Sequence, residues 1–423
     1  MLDDLLYARS LMALSLGFHI IFASIGIGMP FLMALSQLVW FKKRDAVYLE
    51  LSEKWSKGTA LLFIIGAISG TVLSFELGLL WPKFMEYAGP TIGVAFSLEG
   101  FAFFMEAIFL GVFLYGRNKL PPLIHLISAI IVAISGALSA VFVVATNAWM
   151  NNPYMVSGNP LIDIFSNPMF PQMAIHLVLA SYIACFLLVA GVHAYYLLKD
   201  RSNLVHREAF KLSILSFAFI APLMLISGDH SAKVVYNLQP VKFAAMEAHY
   251  HTEKPAEFIF GGLANSESMT VDHAVRIPML LSFLSSNNFN AQVPGLEEID
   301  KSNWPNVNIV HIAFTLMIIC GSLFVPLSLW VLYSRFIKKN LLDNRLLLIA
   351  ALIASPLGYI AMESGWVVTE VGRQPWVIYG IMHTKEAVTS TTNIGVYFYI
   401  FAALYLLLAV TLTIVMKRIF RKA

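Results

Sequence analysis

The sequence predicts an all-α membrane protein: a polytopic helical bundle of about nine transmembrane helices, N-terminus outside and C-terminus inside. Three observations predict it. Of its 423 residues 58% are hydrophobic and only 13% charged, and the mean hydropathy is +0.74, far from the mix of a soluble globular domain. Apolar runs of the roughly 20 residues needed to cross a hydrocarbon core about 30 Å thick recur from one end of the chain to the other. Basic residues collect in alternate connections between those runs, as they do on the cytoplasmic side of a membrane.

The runs cover 9–40, 58–81, 92–115, 121–146, 170–198, 209–228, 306–334, 346–369 and 391–416. The first is too long for a secretory signal and lacks a small-residue cleavage site, so it reads as a retained helix. Cys185 and Cys320 both fall inside apolar spans and no C-x-x-C-H occurs; neither a disulfide framework nor covalent haem attachment is supported.

Orientation follows from Lys42, Lys43, Arg44, Lys54 and Lys57; Arg117 and Lys119; Lys199, Arg201, Arg207 and Lys211; Arg335, Lys338, Lys339 and Arg345; and Lys417, Arg418, Arg421 and Lys422. These are 19 of the 28 basic residues, all in one set of connections. The net charge of +3 is this bias and gives no sign of nucleic-acid binding. One connection is long, 228–304, on the predicted outer side and rich in polar and aromatic residues; a segment of that length is usually functional or disordered. The rest of 1–423 reads as a single membrane domain. Trp149, Trp366 and Trp376, in shorter outer loops, suit an aromatic belt.

Ionisable groups inside a bilayer cost about 2.5 to 3.5 kcal/mol each, so each needs a reason. His19 lies in the first span, Glu76 in the second, Glu99 and Glu106 in the third, His176 in the fifth, Glu363 and Glu370 in the eighth. Nearly all sit in the outer half of the membrane, while the inner half reads as almost purely apolar. Clustering at one depth on five helices is what a cofactor site between helices looks like. Any one of these residues alone is as readily an interhelical hydrogen-bond partner. Glu99 and Glu106, seven apart, share a helix face and repel unless one is protonated or a cation lies near. His176 and Met317 form a sensible axial pair for a low-spin haem, although a Met among 18 in an apolar chain reads first as packing. His125, His193 and His311 lie near span ends and read as interfacial.

The stretch Glu363-Ser-Gly-Trp-Val-Val-Thr-Glu370-Val-Gly-Arg373-Gln-Pro-Trp376 resembles the most distinctive signature of cytochrome bd-type quinol oxidase subunit I. Others follow in order: Gly17-Phe-His19, Leu98-Glu99-Gly100 with Phe103-Phe104-Met105-Glu106, Asn147-Ala-Trp149-Met-Asn-Asn-Pro153, His176, Lys242-Phe-Ala-Ala-Met-Glu247 and Met317-Ile-Ile-Cys-Gly321. The likeness extends over essentially the whole chain.

The resemblance implies that His176 and Met317 ligate a low-spin haem b. His19 would ligate one of two high-spin haems and Glu370 the other, one a haem b and one either haem d or a further haem b, with Glu99 close by as ligand or partner. Arg373 would be a counter-charge for haem propionates or carboxylates. The long loop would bind quinol through Lys242 and Glu247, which by themselves read as an ordinary solvated pair. The implied reaction is oxidation of membrane quinol at the outer face and reduction of O₂ to water with protons taken from inside, Glu99 and Glu106 serving as proton terminus. A second membrane subunit, and with it a small single-helix subunit, would complete the complex in a prokaryotic cytoplasmic membrane. Two features depart from the family pattern. The loop is a short form, and Thr315 stands where many members carry Arg near the low-spin haem. The rivals are a cyanide-tolerant relative carrying only b haems, a non-oxidase haem quinol dehydrogenase and, from another class, a proton-coupled secondary transporter, which the lack of repeated halves disfavours.

Overall fold

The structure, a computed structural model, describes residues 2–153, 155 and 157–421, with side chains for 4–153, 155 and 157–415. Of the charges predicted to be cytoplasmic, Lys422 lies outside the described residues, and Lys417, Arg418 and Arg421 lie outside the described side chains. In chain order come α1 (Leu2–Lys43), α2 (Ala46–Leu80), α3 (Pro82–Gly116), α4 (Pro122–Asn151), the short α5 (Pro160–Phe165), α6 (Phe170–Lys199) and α7 (Leu204–Leu238). After a loop layer, α10 (Val307–Leu332), α11 (Arg345–Ala354), α12 (Leu357–Val371) and α14 (Ile394–Arg421) complete the bundle. Among the described residues nine helical segments are long and apolar enough to cross a membrane, α11 and α12 together forming one of them. The predicted all-α class and span count are borne out.

Local chemistry sets the helix starts. Prolines open α3, α4, α5 and α8 (Pro240–Met246), where the missing N–H is one of the unpaired donors of a first turn. Asp45, Asn203, Asn306 and Asn344 cap α2, α7, α10 and α11 by accepting from backbone N–H groups of the first turn, each worth about 1 kcal/mol. α1 runs through the middle of the bundle, packed on α2, α4, α6 and α14, while α3 pairs with α4, α6 with α7 and α10 with α12. The largest core gathers Phe186, Phe210, Phe217 and Phe324 between α6, α7 and α10.

The long connection is a folded layer. It holds α8, the strands β1 (Phe258–Phe260), β2 (Leu263–Asn265), β3 (Thr270–Asp272) and β4 (Val275–Ile277), and α9 (Leu280–Ser286). β1 pairs antiparallel with β4 and β2 with β3. Phe243, Met246, Tyr250, Val293 and Leu296 form its core, continuous with Val310 and Phe314 of α10. A second hairpin, β5 (Trp376–Ile378) with β6 (Met382–His383), follows α12 and leads into α13 (Thr384–Ala387).

Several expectations need correction. The sixth span, read to 228, continues as helix to Leu238; Gly228–Leu238 is too polar for hydrocarbon yet keeps its backbone bonded, aided by the Lys233–Asp229 pair at 2.6 Å. The second span starts at Ala46, not 58, for the same reason. The eighth is two helices broken at Ser355–Pro356, because proline supplies no N–H and crowds the preceding turn. His125, His193 and His311, near their span ends, are buried within the protein and not turned to lipid or solvent. His125 Nδ1 meets Gln37 Nε2 at 3.0 Å and its Nε2 lies 2.8 Å from the Phe113 carbonyl. His193 accepts from Trp55 Nε1 at 3.3 Å and meets His206 at 2.8 Å. His311 lies between the carbonyls of Met246 and Gly261 at 2.9 and 2.8 Å, bolting the loop layer to α10. These first two clusters also make the end away from the long loop less purely apolar than expected. Trp149 is buried in the bundle, not a belt residue.

Candidate functional site

Three elements meet at the loop end of the bundle: the last turn of α4, the C-terminus of α12 and α8. Asn147 and Asn151, four apart on α4, share one face and both are buried. Lys242 of α8 donates from Nζ to Asn151 Oδ1 at 2.5 Å. Asn151 Nδ2 donates to Asn147 Oδ1 at 2.9 Å and to its carbonyl at 2.8 Å. Asn147 Nδ2 donates to Glu370 Oε1 at 2.6 Å, and Arg373 donates to Glu370 Oε2. Gln239 Nε2 adds a 2.6 Å bond to the Asn151 carbonyl. A Cβ at Gly372 would lie 2.9 Å from Lys242 Cγ, so glycine there lets the lysine stem lie against the end of α12. Glu370, Arg373 and Lys242 are thus brought together, whereas the two asparagines that join them had entered only as letters of a motif.

Arg373 is 2% exposed, and its Nε and Nη1 are buried without partners. A guanidinium left half-satisfied inside a protein is costly unless an anion completes it. Beside it a cavity of about 240 Å³ is lined by Val241, Ile299, Asn303, Gly372, Gln374, Trp376 and Tyr379 among others.

His19 and His176 are each anchored through Nδ1. Ser69 Oγ, 2.9 Å from His19 Nδ1, spends its proton on the Ile65 and Gly66 carbonyls, so the ring is the donor and its Nε2 keeps a free lone pair. His176 Nδ1 lies 3.2 Å from Ser227 Oγ, itself held by Gln172 Nε2 at 3.0 Å. α6 and α10, carrying His176 and Met317, each pack on α7 and α12 but have little or no direct packing on each other. A Cβ at Gly365 of α12 would lie 3.1 Å from Met317 Sδ, so glycine makes room for the thioether. His176 and Met317 therefore sit on helices joined mainly through α7 and α12 rather than through each other.

Glu99 and Glu106 face α4: Ser139 Oγ donates to Glu99 Oε1 at 3.2 Å, while Glu106 is buried with Oε1 unpartnered. Glu76 is fully buried and accepts from Ser15 Oγ at 2.7 Å; Glu363 Oε2 borders Gly17.

Lys242 and Glu247 are not the solvated pair their types suggest. Both are buried, at 4% and 2% exposure, and among the described residues no ion pair joins them. Burial pushes the Glu247 carboxyl up to about 8, with Oε2 unpartnered. Burial, reinforced by the Arg373 charge, pulls the Lys242 ammonium well below the usual lysine range.

Among the described residues no three His, Cys, Asp or Glu side chains converge as they must to hold a bare metal ion. Isolated donors on separate helices suit instead a metal whose equatorial positions are already filled, and the half-satisfied Arg373 suits a carboxylate-bearing macrocycle. The residues fit haem.

A bundle of membrane helices carrying isolated donors on separate helices, with a half-satisfied buried cation at one end, has the make-up of a polytopic haem-binding membrane protein. The sequence profile described as Cytochrome bd terminal oxidase subunit I matches residues 7–423. The chain belongs to that family. It is similar to a Bacillus subtilis (strain 168) protein assigned as a cytochrome bd menaquinol oxidase subunit I, 33% identical over 433 residues, covering 100% of this chain and 97% of that protein. It also resembles the cytochrome bd-II ubiquinol oxidase subunit 1 of Escherichia coli (strain K12), 27% identical over 471 residues, covering 93% of this chain and 91% of that one. Among solved structures it matches the bd oxidase from Geobacillus thermodenitrificans with a TM-score of 0.92 and 34% identity, covering 99% of each chain. It is a multi-pass membrane protein and a subunit of a terminal oxidase, which displaces the transporter reading.

Proposed function

We propose that this chain is the quinol-oxidising, haem-carrying subunit of a terminal oxidase, with quinol entering at the loop end and O₂ reduced within the bundle. The observation that carries the reading is Arg373, buried beside Glu370 with two guanidinium nitrogens unpartnered. Bound haem supplies one-electron transfer and the reduction of O₂.

The chain's own residues do the rest. His176 and Met317 hold a low-spin haem b, Ser227 fixing the imidazole ring. His19, oriented by Ser69, and Glu370, oriented by Asn147, hold one high-spin haem each. One of these is a haem b and the other a haem d or a further haem b. Arg373 neutralises propionates. Glu247, whose carboxyl titrates near 8, takes a proton from the quinol hydroxyl, its value being matched to a base working near neutral pH. Lys242 presents its nitrogen to the quinol oxygen. Glu99 and Glu106 hold protons on the way to the oxygen site. The basic residues at the end away from the long loop put that end in the cytoplasm, so quinol protons leave outside and those for water enter from inside. The exposed apolar faces of α3 and α14 suit lipid and a second membrane subunit, with a small single-helix subunit beside it.

Pyridine haemochrome analysis of the purified complex, combined with quinol-driven O₂ uptake, tests the reading. Non-covalent haem with uptake is expected, and a long-wavelength absorption band separates haem d from haem b. A colourless complex from cells well supplied with haem overturns it.

A further inference from the structure

The chain Lys242–Asn151–Asn147–Glu370 has a fixed sense. A carboxylate can only accept, so Asn147 turns its NH₂ to Glu370, and with Asn151 donating to Asn147 and accepting from Lys242 each amide offers its oxygen towards Lys242 and its NH₂ towards Glu370. The links measure 2.5, 2.9 and 2.6 Å, and both amides are buried. Dipoles lined up in this way polarise one another. Lys242 and Glu370, on different elements, are thus joined by a hydrogen-bonded relay of two side chains of α4.

We propose that Asn147 and Asn151 are positioning residues that couple the quinol pocket to the carboxylate of Glu370. They hold that carboxylate's orientation and electron density in register with Lys242, so a quinol oxygen competing for the Lys242 nitrogen loosens the Asn151 bond and, through Asn147, the bond on Glu370 Oε1. The inference rests on the reading of Glu370 as a haem ligand and Lys242 as a quinol contact. A hydrogen bond withdrawn from an anionic ligand leaves that ligand richer in electrons and favours the oxidised metal. Occupancy of the pocket thereby lowers the midpoint potential of the haem on Glu370. Reciprocally, oxidation of that haem tightens the pocket by the same factor.

The test is a redox titration of the purified complex, with and without a saturating redox-inert quinone analogue, following the high-spin and low-spin haem bands separately. In the unaltered complex the analogue lowers the midpoint of the haem on Glu370; a tenfold difference in analogue affinity between the two redox states corresponds to about 59 mV. Asn151 makes no hydrogen bond to Glu370, yet Asn151→Leu lowers that midpoint without analogue and abolishes the analogue-induced shift, while the low-spin midpoint stays in place. Asn151→Ala, which is smaller and carries no side-chain donor or acceptor, breaks the same link and gives the same result should the leucine variant lose haem or fold. An absent shift in the unaltered complex, or a shift that survives both substitutions, overturns the proposal. Glu370→Gln separates the two ideas: unchanged haem content and spectrum in that variant sink the ligand assignment itself, not only the relay.

Discussion

The two ends of α4 carry buried polar clusters of similar size and opposite character. In its first turn His125, Gln37 and Ser52 close on themselves. Gln37 Nε2 meets His125, Gln37 Oε1 accepts from Ser52 at 3.0 Å, and the remaining imidazole nitrogen meets the Phe113 carbonyl. In its last turn Asn147 and Asn151 lead to Arg373, which keeps two nitrogens open, and Gln239 Oε1 is open too. A polar group that has all its partners holds helices together; one that lacks them at full burial marks where something else binds. The difference separates a clamp from a site without reference to residue type, since His and Gln occupy the clamp and Asn, Lys and Arg the site.

The largest expected effect lies on the open side. Glu247 is buried with one oxygen unpartnered and its carboxyl titrates near 8. Only the ionised form accepts a proton, so quinol oxidation should rise with pH through about 8 and level off above it. Glu247→Gln should cost on the order of 10²-fold in turnover and flatten that limb, while haem content stays unchanged. Steady-state O₂ uptake against pH measures both; a variant that keeps the rising limb removes Glu247 as the base and leaves its burial unexplained.

The closed side should respond in stability, not chemistry. His125→Phe strands Gln37 and the Phe113 carbonyl, at a cost of roughly 1–2 kcal/mol, in the range of interhelical hydrogen bonds in membranes. Replacing Gln37 by Leu in the same chain should recover part of that, because it removes one stranded group. Thermal unfolding of the detergent-solubilised complex should show the drop and the partial recovery, with the haem spectra and midpoints superimposable. If His125→Phe instead alters haem potentials at constant stability, the division into clamp and site fails.

How much of this was legible in the sequence follows from what each signal measures. Hydropathy senses the bilayer, so the spans were found, but not the helical overhangs at Ala46–Lys57 and Gly228–Leu238, where the backbone bonds itself outside the hydrocarbon. The break at Ser355–Pro356 was written in the chain yet masked by continuous apolarity. His19, His176, Met317 and Glu370 were readable as expensive polar residues and motif letters. Their supports Ser69, Ser227 and Gln172 were not, because a serine inside a helix usually bonds its own backbone. The burial of His125, His193 and His311 was not legible, because nearness to a span end says nothing about which side of a helix faces the bundle. Asn147 and Asn151 could have been singled out: two amides four apart in the last turn of a membrane helix, before Pro153, present a polar face that needs a partner. Which partner, Glu370 or solvent, only the packing of α12 decides.

The smallest effect sharpens the comparison within α10. Thr315 is half-buried two residues before Met317, where the family resemblance leads one to expect arginine, so a low-spin haem held as proposed would lack one positive neighbour. A cation nearby stabilises reduced iron over oxidised iron, and Thr315→Arg should therefore raise the low-spin midpoint. The rise should stay below the roughly 59 mV of a tenfold one-electron shift, because a long side chain can carry its charge outward towards the loop layer. Equilibrium titration of the two proteins reads the difference directly. Equal midpoints would mean that charge at this position is screened before it reaches a haem held as proposed, whose potential is then set by Met317 and by the Ser227 bond on His176.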